Sequence, residues 1–236
     1  MKSIRIGFHK YVYESEKLNI HTLPPITKED AKATLFAMQD LLNEKGVDIY
    51  LAFGTLLGAV REKDFIDGDL DVDCYVIDRK ALFDCLPYLA EHGMKLVRAG
   101  STIFSFRYED LKGCYIDLYV RRNTFNIWAL YCYQLNTSMC PRKYLQDGEI
   151  DFLGRTFKCP KNPKQVLAFW YGETWRTPIA KAQKEYRYTV TSHYFYRKIK
   201  NTIKWNIKYG IQRAIGWYHW RHLVKAEYRN EKIAEK

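Results

Sequence analysis

One stretch, Tyr50 to Val76 (YLAFGTLLGAVREKDFIDGDLDVDCYV), limits what this 236-residue chain can fold into more than any other. An apolar run ends in Gly54-Thr55, a short polar segment is centred on Arg61 and Lys63, and Asp69, Asp71 and Asp73 then recur at every second position. Side chains two apart on a strand share a face. Three carboxylates crowded in this way repel one another unless a cation neutralises them. Cys74, Tyr75, Val76 and Ile77 follow directly, which sets the acidic face at the lip of a buried strand. Carboxylate oxygens at such a lip suit Mg²⁺, a hard ion that keeps positions open for water and phosphate, with Mn²⁺ as the alternative.

The segments on either side read as a mixture of helices and strands. Ile4, Ile6 and Phe8 alternate as in a strand, and Pro24-Pro25 closes the N-terminal segment, residues 1–26. Thr27 with Asp30 three residues on reads as a helix N-cap, and the helix runs to about Lys45 with Gly46 as its stop. Val47–Phe53 is expected as a strand, Leu56–Arg61 as a short helix, and Arg79–His92 as one helix ended by Gly93. Strands follow at Met94–Ala99, Thr102–Tyr108 and Cys114–Arg121, with turns at Gly100 and around Lys112-Gly113. The last of them places Asp117 beside the acidic strand. Residues 123–146 give no clear pattern, Ile150–Lys158 reads as a hairpin turning at Gly154-Arg155, and Asn162–Tyr171 as a helix with Pro163 in its first turn.

Charge separates the last quarter from the rest. Residues 181–236 hold 14 Lys+Arg and 4 Glu, so they carry +10 of the chain's net +11. Within them, Tyr194–Tyr228 can form long helices with a stripe of Ile199, Ile203, Ile207, Ile211 and Ile215, and basic residues mostly outside it. Such a helix can lie on an anionic membrane or pack on the preceding domain. No base-reading module is recognisable, so no specific nucleic acid is expected as partner. The N-terminus lacks an apolar signal-peptide core, and the most apolar run, Ile127–Tyr133, is far short of the roughly 20 residues of a membrane span. These features lead us to expect a cytoplasmic protein, or one peripheral at the inner face of the membrane. None of the six cysteines forms a C-x-x-C pair, and they read as reduced core thiols rather than a zinc site.

The Gly-Thr turn, the acidic run and the later Asp117 make one constellation. Gly54 lets backbone approach a phosphate, and the Thr55 hydroxyl with the N–H groups opening a helix can bind its oxygens. Asp71 and Asp73 would hold metal, with Asp69 close by. Asp117 would complete the cage or take a proton from an acceptor hydroxyl. Arg61 and Lys63 would neutralise phosphoryl charge. Alternating acids on their own equally suit a solvated edge strand; Gly54-Thr55 upstream and Asp117 downstream favour the metal site.

This arrangement resembles the nucleotidyltransferase (DNA polymerase β-like) superfold and, within it, the LicD family, which includes fukutin and fukutin-related protein. GTLLGAVREKDFIDGDLDVD is similar to that family's signature, YIDLYV with Asp117 to its third-carboxylate strand, and LAFWYGETWRTP to its Tyr-Gly, Trp and Pro ending, here Tyr171, Gly172, Trp175 and Pro178. Glu62 stands where many members carry His, Asp64 where they carry Gly, Asp67-Gly68 where they carry Pro-Trp, and Leu70 interrupts the Asp run. The resemblance implies an α+β fold in which a mixed sheet is flanked by helices. The catalytic domain would span residues 27–180, with 181–236 as a basic helical extension. The implied reaction is Mg²⁺-dependent transfer of phosphocholine or a polyol phosphate from a CDP-activated donor, such as CDP-choline, to a glycan hydroxyl. The acceptor would be of lipopolysaccharide, teichoic acid or capsule type and could be lipid-linked. The competing readings are a nucleotidyltransferase acting on a small molecule or RNA, and a non-catalytic protein docking on membrane or nucleic acid.

Overall fold

The computed structural model describes residues 1–178, apart from 7–8, 17–22, 101, 110, 112–113, 127–128, 136–137 and 142–143. The stripe at Tyr194–Tyr228, the whole 181–236 segment and the Lys112-Gly113 turn therefore lie outside the described residues.

A seven-stranded mixed sheet organises the fold. Its strands are β3 (Tyr50–Leu51), β4 (Val72–Val76), β5 (Met94–Ala99), β6 (Ile103–Tyr108), β7 (Tyr115–Val120), β11 (Asp147–Phe152) and β12 (Arg155–Pro160). They lie in the order β11-β12-β3-β4-β7-β6-β5. At the centre β4 and β7 run parallel, with Asp73 opposite Asp117 and Tyr75 opposite Tyr119. Every residue of both strands is buried, as expected where helices cover both faces of a sheet.

One face is covered by α1 (Lys28–Asn43), which contributes Ala31, Leu35, Met38 and Leu42 to the core, and by α3 (Arg79–Asp84), whose Phe83 ring packs edge-on against Phe104. Across the other face lie α2 (Phe53–Arg61) and α5 (Pro163–Tyr171), joined through Phe53, which contacts both Tyr119 and Trp170. Thr27 caps α1 as its sequence predicts, its hydroxyl accepting the Asp30 N–H at 3.0 Å. Gly172, at φ 86, ends α5. The N-terminal hairpin of β1 (Lys2–Ile6) and β2 (His9–Tyr13) leads to Glu16, which bonds Arg107 and the Tyr115 hydroxyl, while its N–H donates to the Val97 carbonyl. Residues 123–146, without a clear pattern in sequence, contribute to a small antiparallel sheet of β8 (Arg122–Asn126), β9 (Ala129–Leu135) and β10 (Ser138–Pro141).

Three expectations need correction. The Val47–Phe53 strand shrinks to Tyr50–Leu51, because helix α2 begins at Phe53 and so takes Gly54 and Thr55 into its first turn. Arg79–His92 is two helices, α3 and α4 (Leu86–Glu91), meeting at Cys85. Pro87 follows the break; lacking an N–H and clashing with the preceding turn, it cannot continue α3. The distal hairpin turns at Leu153-Gly154, both at positive φ (54° and 87°), rather than at Gly154-Arg155. Among the described residues, no helix is long and apolar enough to cross a membrane.

Candidate active site

The N-terminus of α2 and the start of β4 are locked together. Ala52, at the N-cap position of α2, gives no side-chain cap; the cap comes instead from Asp73, whose Oδ2 accepts the Gly54 N–H at 3.0 Å. In return the Asp73 N–H donates to the Thr55 hydroxyl at 2.8 Å. A helix N-terminus carries partial positive charge, which suits a carboxylate there. Thr55 is 1% exposed and Asp73 8%, so neither bond competes with water.

The GTLLG sequence is explained by space. A Cβ on Gly54 would sit 2.7 Å from Asp69 Oδ2 and 3.2 Å from Asp73 Oδ2; one on Gly58 would sit 2.5 Å from the Asp64 carbonyl oxygen. The two glycines are one helical turn apart, hence on one face. Along that face the acidic loop and β4 come closer than any side chain would permit. Asp69 and Asp71 lie on the loop that enters β4 rather than on the strand itself, so the expected three-acid strand face is a loop-and-strand lip.

At this lip Asp71, Asp73 and Asp117 each offer an oxygen, all within 4.8 Å of one another. Burial first, then Asp71, Asp69 and Asp117, pushes the Asp73 carboxyl well above the usual carboxylate range, against the Gly54 N–H that lowers it. Burial also raises Asp117, opposed by Ser105 and Arg98. Carboxylates that resist ionising until a cation arrives, with oxygen donors converging on one point, fit a hard divalent ion. These three residues could hold one.

Other residues complete the surroundings. The Tyr119 hydroxyl donates to Asp73 Oδ1 at 3.0 Å. Arg98 donates from Nη2 to Asp117 Oδ2 at 2.9 Å and from Nε to the Ser105 hydroxyl at 2.8 Å; Ser105 in turn donates to Asp117 Oδ1. Sequence reading named none of these three. Ser105 and Tyr119 were detectable in principle, since pairing of β6 with β7 sets Ser105 opposite Asp117 and strand alternation sets Tyr119 on the Asp117 face.

The structure thus brings together Gly54, Thr55, Asp69, Asp71, Asp73 and Asp117. Arg61 is elsewhere, about 10 Å along α2 from Gly54 at 1.5 Å per residue. Its guanidinium bonds Glu62 at 2.6 Å and the Trp175 carbonyl at 3.1 Å. Lys63 is exposed, on a turn with φ 60.

Residues 46–162, which contain the whole carboxylate trio, match the family model described as LicD/FKTN/FKRP, nucleotidyltransferase domain. This segment is a LicD-family domain. Solved structures similar to the chain include the lincomycin-bound lincosamide antibiotic adenylyltransferase LnuA, at 14% identity and a TM-score of 0.44, covering 70% of this chain and 95% of that one. Another is the antibiotic-resistance factor ANT(2'')-Ia in solution, at 10% identity and a TM-score of 0.47, covering 86% and 99%. No curated protein matches. A LicD domain supports a transferase role of phosphotransferase or nucleotidyltransferase kind. Lys28 of α1 pairs with both Asp64 (3.0 Å) and Asp67 (2.9 Å), which ties the loop between α2 and β4 to α1.

Proposed function

We propose that this chain is a Mg²⁺-dependent phosphotransferase that moves a phosphocholine or polyol-phosphate group from a CDP-activated donor to a hydroxyl of a cell-surface glycan. The carrying observation is the convergence of Asp71, Asp73 and Asp117 oxygens within 4.8 Å, inside a LicD-family domain. In this reading Asp71 and Asp73 hold the ion, and Asp117 completes the cage or takes the proton from the acceptor hydroxyl. When bound, the divalent ion supplies charge neutralisation for the phosphate oxygens. The chain's own residues supply position. Thr55 and Gly54 fix Asp73 against α2, Tyr119 steadies its other oxygen, and the missing Gly54 side chain leaves room for the Asp69 carboxylate against the start of the helix. The location consistent with such work is cytoplasmic or at the inner face of the membrane, with residues 194–228 as the membrane-facing candidate.

The test is to incubate the protein with Mg²⁺ and each of CDP-choline, CDP-glycerol and CDP-ribitol, following CMP release and the mass of the modified glycan. Release of CMP with a phosphocholine or polyol-phosphate adduct is expected. A nucleoside monophosphate retained on the acceptor, or no turnover of any donor, would refute the reading.

A further inference from the structure

Strand β5 carries one residue too many. It pairs with β6 as Met94 opposite Tyr108, Lys95 opposite Arg107 and Leu96 opposite Phe106, but the next partner of Ser105 is Arg98, with the register shifted between Leu96 and Arg98. Without this bulge Val97 would face Ser105 and Arg98 would turn to the opposite face, since a one-residue slip exchanges the two faces of a strand. The extra residue is buried and held from outside, its carbonyl accepting the Glu16 N–H at 2.9 Å.

The consequence is an uneven carboxylate trio. Both oxygens of Asp117 accept from donors, and one of those donors, Arg98, bears a full positive charge 2.9 Å away. The donors to Asp73 are the neutral Gly54 N–H and Tyr119 O–H. A divalent ion bound to the oxygen that Arg98 already holds would face repulsion from the guanidinium, beside an Asp117 carboxylate that is itself buried. Asp73 presents no such obstacle from its donors.

We propose that Arg98 is a positioning residue: it orients Asp117 toward the acceptor and keeps the divalent ion on Asp71 and Asp73 rather than on Asp117. The proposal rests on the metal reading above but not on the identity of the donor or acceptor.

Its test is direct Mn²⁺ binding to the full chain without donor, by electron paramagnetic resonance, with circular dichroism and the thermal midpoint as checks on folding. Arg98→Gln removes the guarding charge and frees Asp117 for the ion, so Mn²⁺ binding should tighten about tenfold or more while turnover falls. A merely structural role predicts the opposite for binding. The double variant Arg98→Gln/Asp117→Asn removes charge and countercharge together and should bind Mn²⁺ within about threefold of the unaltered protein. If Asp117 were a ligand, the double variant would lose about tenfold or more. Unchanged or weaker binding in folded Arg98→Gln, or such a loss in the double variant, overturns the assignment; the double variant decides alone if the single one does not fold. Absence of Mn²⁺ binding by the unaltered protein would overturn the metal reading and this proposal together.

Discussion

The Asp73 amide donates to the Thr55 hydroxyl over 2.8 Å, while the Asp73 carboxylate accepts the N–H of the residue before Thr55. One helix turn and one strand thus fix each other in both directions. Thr55→Val should leave the Asp73 N–H buried without a partner, costing about 1–3 kcal/mol in urea unfolding. Turnover should fall as well, because the carboxylate loses its anchor. An unchanged denaturation midpoint would show that the bond contributes nothing.

The two glycines of α2 should fail differently. At Gly54 the obstacle to a new methyl group is the end of the Asp69 side chain, so Gly54→Ala should fold and lose about tenfold or more in turnover. At Gly58 the obstacle is the Asp64 backbone, which cannot swing aside, so Gly58→Ala should cost about 1–3 kcal/mol of stability. Parallel thermal melts and rate measurements would separate the two.

The carboxylate trio should be a source of instability when metal-free. Asp71→Asn removes a like charge acting on buried Asp73, so in EDTA its thermal midpoint should equal or exceed that of the unaltered protein. With millimolar Mg²⁺ the order should reverse, because the unaltered protein gains binding energy and the variant does not. Turnover by the variant should vanish. A variant less stable than the unaltered protein in EDTA would contradict this account.

Alkaline pH should destabilise the fold through its thiols. Burial pushes Cys114 and Cys159 up to about 11. Between the ordinary thiol value and 11 the unfolded chain loses protons that the folded one keeps. The stabilisation is therefore complete below about 8.5 and disappears as pH rises toward 11, at up to about 1.4 kcal/mol per pH unit for each thiol. Urea midpoints measured from pH 8 to 10.5 should fall, and fall less in Cys114→Ala. Ellman's reagent at pH 8 should label the native protein slowly at both positions.

What the sequence disclosed depended on whether the governing interaction was local. Thr27 and Asp30 are three residues apart, and the cap they make is as expected. The meeting of Asp73 and Asp117 was legible because side-chain alternation on two neighbouring strands sets them on one face; Asp71 joins them from the loop that enters β4, where strand periodicity does not apply. Arg98 was not. Met94, Leu96 and Arg98 share one parity, so alternation assigns Arg98 to the buried face with the two apolar residues, and only the bulge at Val97, fixed by Glu16 from far along the chain, moves it to the other. The early start of α2 was hidden for a similar reason: its cap is a carboxylate nineteen positions downstream. The basic segment at 181–236 lies outside the described residues.

Glu16, just past the N-terminal hairpin, and the strand bulge it secures also bear on how the protein should be handled at the bench. Trimming to the family-matched span, 46–162, would discard Glu16, the apolar face of α1 and the whole of α5 with Trp170, all of which pack on or bond to that span. An expression clone cut at those borders would leave apolar core uncovered and the strand kink unpinned. Its silence in an assay would then report a damaged scaffold, and would say nothing about the chemistry of the intact polypeptide.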